Sequence, residues 1–408
     1  MSLEDQAVTT GRSGALTVAL CCLVALLEGF DLQAAGVAAP KLGPALGLVP
    51  QQLAWFFTSS TLGLVFGAAI GGRLSDRYGR KVALLVAVAL FGLLSVITGL
   101  SGDVTQLLVT RFLTGVGLGG ALPNLIALVA ENMPLHRRSV AVGLLYAGMP
   151  CGGALASLTS LIGSAPNDWR TIFYIGGVVP LAILPLVSKM LPESFVPAAM
   201  RHGNGHHGQA GYLKAVFGER RALASSVLWL AFFLSLLVMY LLLNWLPSLV
   251  IRAGLGRGDA AYIQTAFNLL GACGSVLTGW LMDQRRWRAL VAIGVFGTTG
   301  LTLAAVADAP SSLFAWLLVG GALGATVSGC QATLYGLAPS CYPTSVRGTG
   351  VGVSVSVGRF GSAAGPLVGG QLLAAGLSSN QIMLAMLPVV AVAGIAAAFL
   401  SLRPAIDH

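Results

Sequence analysis

Apolar residues along the chain gather into runs long enough to cross a lipid bilayer, with short polar segments between them. Such runs fall at roughly 14–38, 52–74, 82–101, 105–130, 139–163 and 170–190. A polar stretch covers 191–221, and six more runs follow at roughly 222–249, 260–282, 288–307, 312–338, 347–373 and 379–402. A helix needs about 20 apolar residues to span the hydrocarbon layer. Backbone groups at that depth must bond within their own segment, which favours helices. The alternating ten-residue segments of a membrane β-barrel are absent. The pattern therefore predicts an all-α membrane protein of twelve transmembrane helices. They divide into six-helix bundles at 14–190 and 222–402, joined by a linker at 191–221 and flanked by tails at 1–13 and 403–408.

Composition excludes the main alternatives. Hydrophobic residues make up 56% of the 408 and charged residues 9%, against about 25% charged in an ordinary soluble domain. Too few charges exist to cover a water-soluble enzyme, and too many apolar residues for a disordered chain. The net charge of +9 by itself fits a nucleic-acid partner, but its distribution speaks for topology. With the N-terminus inside, seventeen of the 23 basic residues lie in cytoplasmic loops and tails. Only Lys41, Arg170, Arg252 and Arg257 lie in outer loops, while Arg111 and Arg359 lie within spans. The positive-inside rule then places both termini in the cytoplasm. The first apolar run is too long for a cleaved signal peptide. Short loops fit a bacterial inner membrane.

The polar segments hold little chemistry. His202, His206 and His207 sit in a Gly-rich stretch that preorganises nothing, so a flexible linker is favoured over a metal site. The six Cys form no metal or redox spacing and read as buried small hydrophobes. No cofactor or metal is expected. The halves resemble each other, however. Gly72-Arg-Leu-Ser-Asp76-Arg77 recurs as Gly279-Trp-Leu-Met-Asp283-Gln284, and Pro134 to Arg138 recurs as Pro343 to Arg347, at nearly equal offsets. Internal duplication of this kind implies two bundles that face each other and can rock.

The spans carry few charges. Glu28 and Asp31 are the two carboxylates well inside, at i and i+3 on one helix face. A charge at the bilayer centre costs roughly 3 kcal/mol or more, so one of the pair is expected to bind and release a proton. Which of the two does so stays open, as does a static pair. Arg111 and Asp31 lie at similar depths, about 10 Å from the outer ends of their spans by helical rise. A pair between them is expected, either structural or part of the coupling route. Arg359 lies near mid-membrane with no carboxylate in the second-half spans to neutralise it. It is expected to face a water-filled cavity and bind a substrate carboxylate. Gln33, Asn124, Tyr146, Tyr240, Asn244, Asn268, Gln331 and Tyr335 are candidate cavity-lining residues, each equally readable as ordinary packing. Gly63, Gly67 and Gly71 in span 2, and Gly361, Gly365 and Gly369 in span 11, recur every fourth residue and let helices approach closely.

Family signatures then appear. Gly72-Arg-Leu-Ser-Asp-Arg-Tyr-Gly-Arg-Lys81 resembles the loop 2–3 motif of the major facilitator superfamily. Arg111-Phe-Leu-Thr-Gly-Val-Gly-Leu-Gly119 resembles its span-4 motif, Gly365-Pro-Leu-Val-Gly369-Gly370 its Gly-Pro motif, and Leu191-Pro-Glu-Ser194 its span-6 end. Glu28-Gly-Phe-Asp31 is similar to the acidic pair of the aromatic acid:proton symporters, which usually begins with Asp. The stretches Leu27 to Gly36, Gly115 to Leu128 and Tyr335 to Pro339 look closest to the branch carrying hydroxyphenylpropionates. The resemblance implies the major facilitator fold and a cytoplasmic latch built from Gly72, Asp76, Arg77, Gly79 and Arg80, with Asp283 and Arg347 as partial second copies. It implies that spans 2 and 11 meet between the halves.

It also implies a carrier that imports 3-hydroxyphenylpropionate or a similar phenolic acid with a proton as coupling ion, and a monomer is expected. A proton-driven exporter of drugs or metabolites on the same fold is the alternative. A membrane enzyme or sensor is disfavoured, because no nucleophile–His–Asp set, phosphate loop or soluble domain is found.

Overall fold

In the computed structural model, residues 3–162, 168–192, 217–218, 221–343 and 346–402 are described. Every long element among them is a helix. The first half holds α1 (Leu3–Leu46), α2 (Pro50–Tyr78), α3 (Arg80–Leu100), α4 (Val104–Asn132), α5 (Leu135–Thr159) and α6 (Trp169–Met190). The second holds α7 (Ala222–Arg252), α8 (Arg257–Asp283), α9 (Arg288–Ala307), α10 (Leu313–Leu337), α11 (Arg347–Ala374) and a last span in two pieces, α12 (Ser379–Ala385) and α13 (Leu387–Leu402). Most of the linker expected at 191–221, with its histidine run, lies outside the described residues. So do the tail at 403–408, Glu193 and Ser194.

Among the described residues, eleven helices are long and apolar enough to cross a membrane. The expected eleventh span, α11, falls below that mark because eleven of its 28 residues are Gly or Ser and it carries Arg359. Helix ends also differ from the apolar runs. α1 continues past residue 38 through Pro40 and Pro44, and Lys41, expected in a loop, donates to the carbonyl of Ser160 at 3.1 Å, beyond the end of α5. The last span breaks at Met386. Pro388 has no N–H to give Leu384, so the helical ladder cannot run through.

The described residues form two compact units, residues 1–48 with 59–201 and residues 49–58 with 202–408. The start of α2 thus counts with the second unit. There Thr58 donates to the Ala363 carbonyl at 3.0 Å, and the rings of Phe57 and Trp245 meet edge-on at 5.0 Å. Trp245 Nε1 in turn donates to the Pro366 carbonyl at 2.9 Å.

Both halves repeat one packing scheme. In the first, α1 packs on α5 and α6, and α3 on α4 and α6; in the second, α7 packs on α11 and α13, and α9 on α10 and α13. The register repeats as well. Gly148 and Gly152 of α5 rest on the backbone at Cys22 and Leu26 of α1, while Gly361 and Gly365 of α11 rest on Phe233 and Leu237 of α7. Gly115 and Gly119 of α4 rest on Ser60 and Leu64 of α2, and Gly320 and Gly324 of α10 lie against Ile263 and Phe267 of α8. At most of these positions a Cβ would collide with a main-chain carbonyl.

The glycine stripes expected at the interface of the halves therefore have a different task. Gly63, Gly67 and Gly71 of α2 lie on Phe112, Val116 and Gly120 of α4, inside the first unit. Gly361 and Gly365 lie on α7, and Gly369 on the indole of Trp245, inside the second. Three of the six Cys (Cys21, Cys330 and Cys341) are buried as expected, whereas Cys273 is exposed on α8.

Candidate functional site

The centre of the first unit is an ion pair. Asp103 caps α4 by accepting from the Gln106 amide at 2.9 Å, and two turns later the helix presents Arg111. Its Nη1 donates to Asp31 Oδ1 at 2.7 Å. Its Nη2 donates to the Asp31 carbonyl at 3.1 Å and lies 3.4 Å from Ser60 Oγ of α2. The guanidinium sits 5.6 Å from the centroid of the Phe173 ring on α6. Both side chains are wholly enclosed. Four helices thus converge on one charge pair, and the close approach of α2 to α4 at Ser60 and Gly115 brings the hydroxyl within reach.

Asp31 spends one oxygen on Arg111; Oδ2 is buried and has no hydrogen-bond partner among the described residues. Gly176 of α6 lies opposite that oxygen, so that even a Cβ there would stand 3.5 Å away. Glu28, one turn earlier on α1, is buried. Gln33 is buried against α5, where it fills the space that a side chain at Gly153 would take. The structure therefore joins Asp31 and Arg111, as their depths suggested, and adds Ser60 and Phe173. Those two carried no sequence signal, because a hydroxyl and a ring in an apolar helix are ordinary residues.

The other candidates are scattered over both units. Asn124, Asn244 and Asn268 are buried, and each gives its amide N–H to the carbonyl four residues earlier in its own helix. Tyr240 is buried, and Tyr146 on α5 is exposed. Gln331 and Tyr335 of α10 meet α7: Gln331 Nε2 donates to Ser235 Oγ at 2.9 Å, and Tyr335 meets Phe232 edge-on at 5.3 Å. Arg359 is half-buried midway along α11. Among the described residues no group of three or more His, Cys, Asp or Glu could hold a metal ion.

Of the expected latch, Gly72, Asp76 and Arg77 lie at the end of α2, Gly79 between α2 and α3, and Arg80 at the start of α3. Gly79, between α2 and α3, has φ +92°, a conformation that only glycine adopts cheaply. Arg80 Nε lies 2.6 Å from Glu131 Oε1 on α4, close enough for an ion pair although the N–H is not aimed for a hydrogen bond. Glu131 did not stand out in the sequence from other carboxylates at span ends. Arg77 lies over the ring of Tyr78. Gly72 has open space around it, and Asp76 and Asp283 are exposed. Arg347 Nε donates to the Tyr342 carbonyl at 3.4 Å.

The 3-(3-hydroxy-phenyl)propionate transporter of Escherichia coli K12 is 43% identical over 95% of this chain and 94% of its own. The gallate transporter of Pseudomonas putida is 35% identical over 89% and 86%. Among solved structures, a partially occluded inward-open form of the E. coli xylose transporter XylE aligns with TM-score 0.71 at 18% identity, covering 95% of this chain and 97% of that one. The sequence pattern of the Major Facilitator Superfamily matches residues 21–366 and again 265–408. With a fold and relatives that are those of transporters and not of enzymes, this multi-pass membrane chain belongs to the major facilitator superfamily.

Proposed function

We propose that the chain is a secondary transporter that imports an aromatic carboxylate together with a proton by alternating access. The observation that carries this is the enclosed Asp31–Arg111 pair, in which Arg111 holds Oδ1 and Asp31 Oδ2 meets no donor among the described residues. A fully bonded carboxylate would be a static counter-ion; this one keeps lone pairs on which a proton can sit. Glu28, buried one turn away, is the second group through which the proton passes. The aromatic acid follows from the two relatives, each named for such a substrate. Arg359 on α11 receives the substrate carboxylate, since a guanidinium matches that group with two parallel hydrogen bonds.

On this reading both termini are cytoplasmic, following the basic loops, the membrane is the bacterial inner one, and a monomer suffices. The test is uptake of labelled 3-(3-hydroxyphenyl)propionate into proteoliposomes. An inward proton gradient should drive accumulation above equilibrium without ATP. Asp31→Asn should abolish accumulation while leaving exchange of substrate for substrate. Accumulation that ignores the gradient, or survives in Asp31→Asn, refutes coupling at Asp31.

A further inference from the structure

Two side-chain pairs bridge α7 and α10 about one turn apart. Gln331 donates from Nε2 to Ser235 Oγ at 2.9 Å, and Tyr335 meets Phe232 edge-on, with ring centroids 5.3 Å apart. Spacings of three on α7 and four on α10 put all four side chains on one patch. Gln331 is 7% exposed, and its amide oxygen Oε1 is buried with no hydrogen-bond partner among the described residues. A buried acceptor left unfilled is uncommon enough to need a reason. Its chemistry is specific here. Ser235 takes one N–H of the amide nitrogen, and the atom of that amide left buried and unfilled is the acceptor Oε1. Such a group attracts an O–H and disfavours a carboxylate, while the half-exposed Tyr335 ring beside it suits an aromatic neighbour.

We propose that Gln331 Oε1 reads the ring hydroxyl of the transported acid, and that Ser235 is the positioning residue that turns this oxygen toward it. The inference rests on the aromatic-acid reading above and adds to it an orientation: the phenol end meets the α7–α10 patch, and the carboxylate points away from it. A site built to accept from a hydroxyl discriminates strongly against the analogue that lacks one, because its buried acceptor is then left empty.

The experiment uses the full-length transporter in proteoliposomes and two acids differing by one oxygen, 3-(3-hydroxyphenyl)propionate and 3-phenylpropionate. The unmodified protein should favour the hydroxylated acid by about tenfold or more in half-saturation. Gln331→Met should bring the two acids within about twofold of each other by weakening only the hydroxylated one. Ser235→Ala, which lets the amide turn, should lower the preference part-way, and Ser235→Thr, which keeps a hydroxyl, should restore it. Uptake of 3-phenylpropionate reports folding of each variant, so a merely structural role would depress both acids alike. A preference that survives both Gln331→Met and Ser235→Ala, or an equal loss for both acids, overturns this inference alone. An unmodified protein that carries neither acid removes the aromatic-acid reading and this inference with it.

Discussion

Arg359 shows what a single side chain in this molecule must satisfy. It lies midway along α11 and is half-buried, where a long guanidinium is tolerated if its head reaches polar surroundings. If it receives the substrate carboxylate, charge alone will not replace it. Arg359→Lys keeps the charge but loses the planar fork, so half-saturation for the acid should rise about tenfold, and Arg359→Ala should cost about a hundredfold. Equal half-saturation in all three proteins would remove Arg359 from the site. At this scale the charged residues were legible, because Glu28, Asp31, Arg111 and Arg359 interrupt apolar runs that have no other reason to contain them. Ser60, Phe173 and Ser235 were not. Their importance comes from what the fold sets beside them, and nothing in residue type or spacing marks that.

At the scale of helices, the strongest constraint is the contact of glycine with main chain. Gly152 of α5 stands so close to Leu26 and Phe30 of α1 that any Cβ collides with backbone, whereas Gly143 of the same helix has no neighbour within 4 Å. Backbone cannot step aside as a side-chain tip can, and overpacking of this kind costs about 1–3 kcal/mol or more. Gly152→Val should therefore lower the melting temperature in detergent and the yield of folded protein, while Gly143→Val should leave both near the starting values. Similar losses in the two variants would show that helix propensity, not close approach, dominates.

Hydropathy located the spans well, since burial in lipid leaves a long apolar run. It misplaced the ends. α1 runs on past Pro40 and Pro44, whose neighbouring Lys41 is held by the carbonyl of Ser160. The glycine stripes were found, but their partners were not. Spacing says that a helix comes near, and only the fold says which one.

Across the whole molecule, the two halves share one register and differ in chemistry. Setting Leu26 against Leu237 and Gly119 against Gly324 carries Asp31 onto Leu242, Ser60 onto Ile263 and Arg111 onto Trp316. All three second-half residues are apolar; Leu242 and Trp316 are buried, and Ile263 is wholly enclosed. The same helix crossings are thus built once around a charge pair and once around hydrocarbon and indole. Removing one member of a buried ion pair strands the other, at a cost of about 3–5 kcal/mol, whereas replacing the pair by well-packed apolar groups is often neutral or stabilising. Asp31→Leu alone should accordingly lower the melting temperature clearly. Asp31→Leu combined with Arg111→Trp should recover much of that loss yet accumulate no substrate. A double variant less stable than the single one would mean that the charges hold the first half together.

One consequence concerns descent. If an ancestral half doubled and each copy then diverged, the protein carries in its second half a finished version of the same joint with the electricity taken out. The crossing of helices itself then needs no charge, for the second copy is built without one.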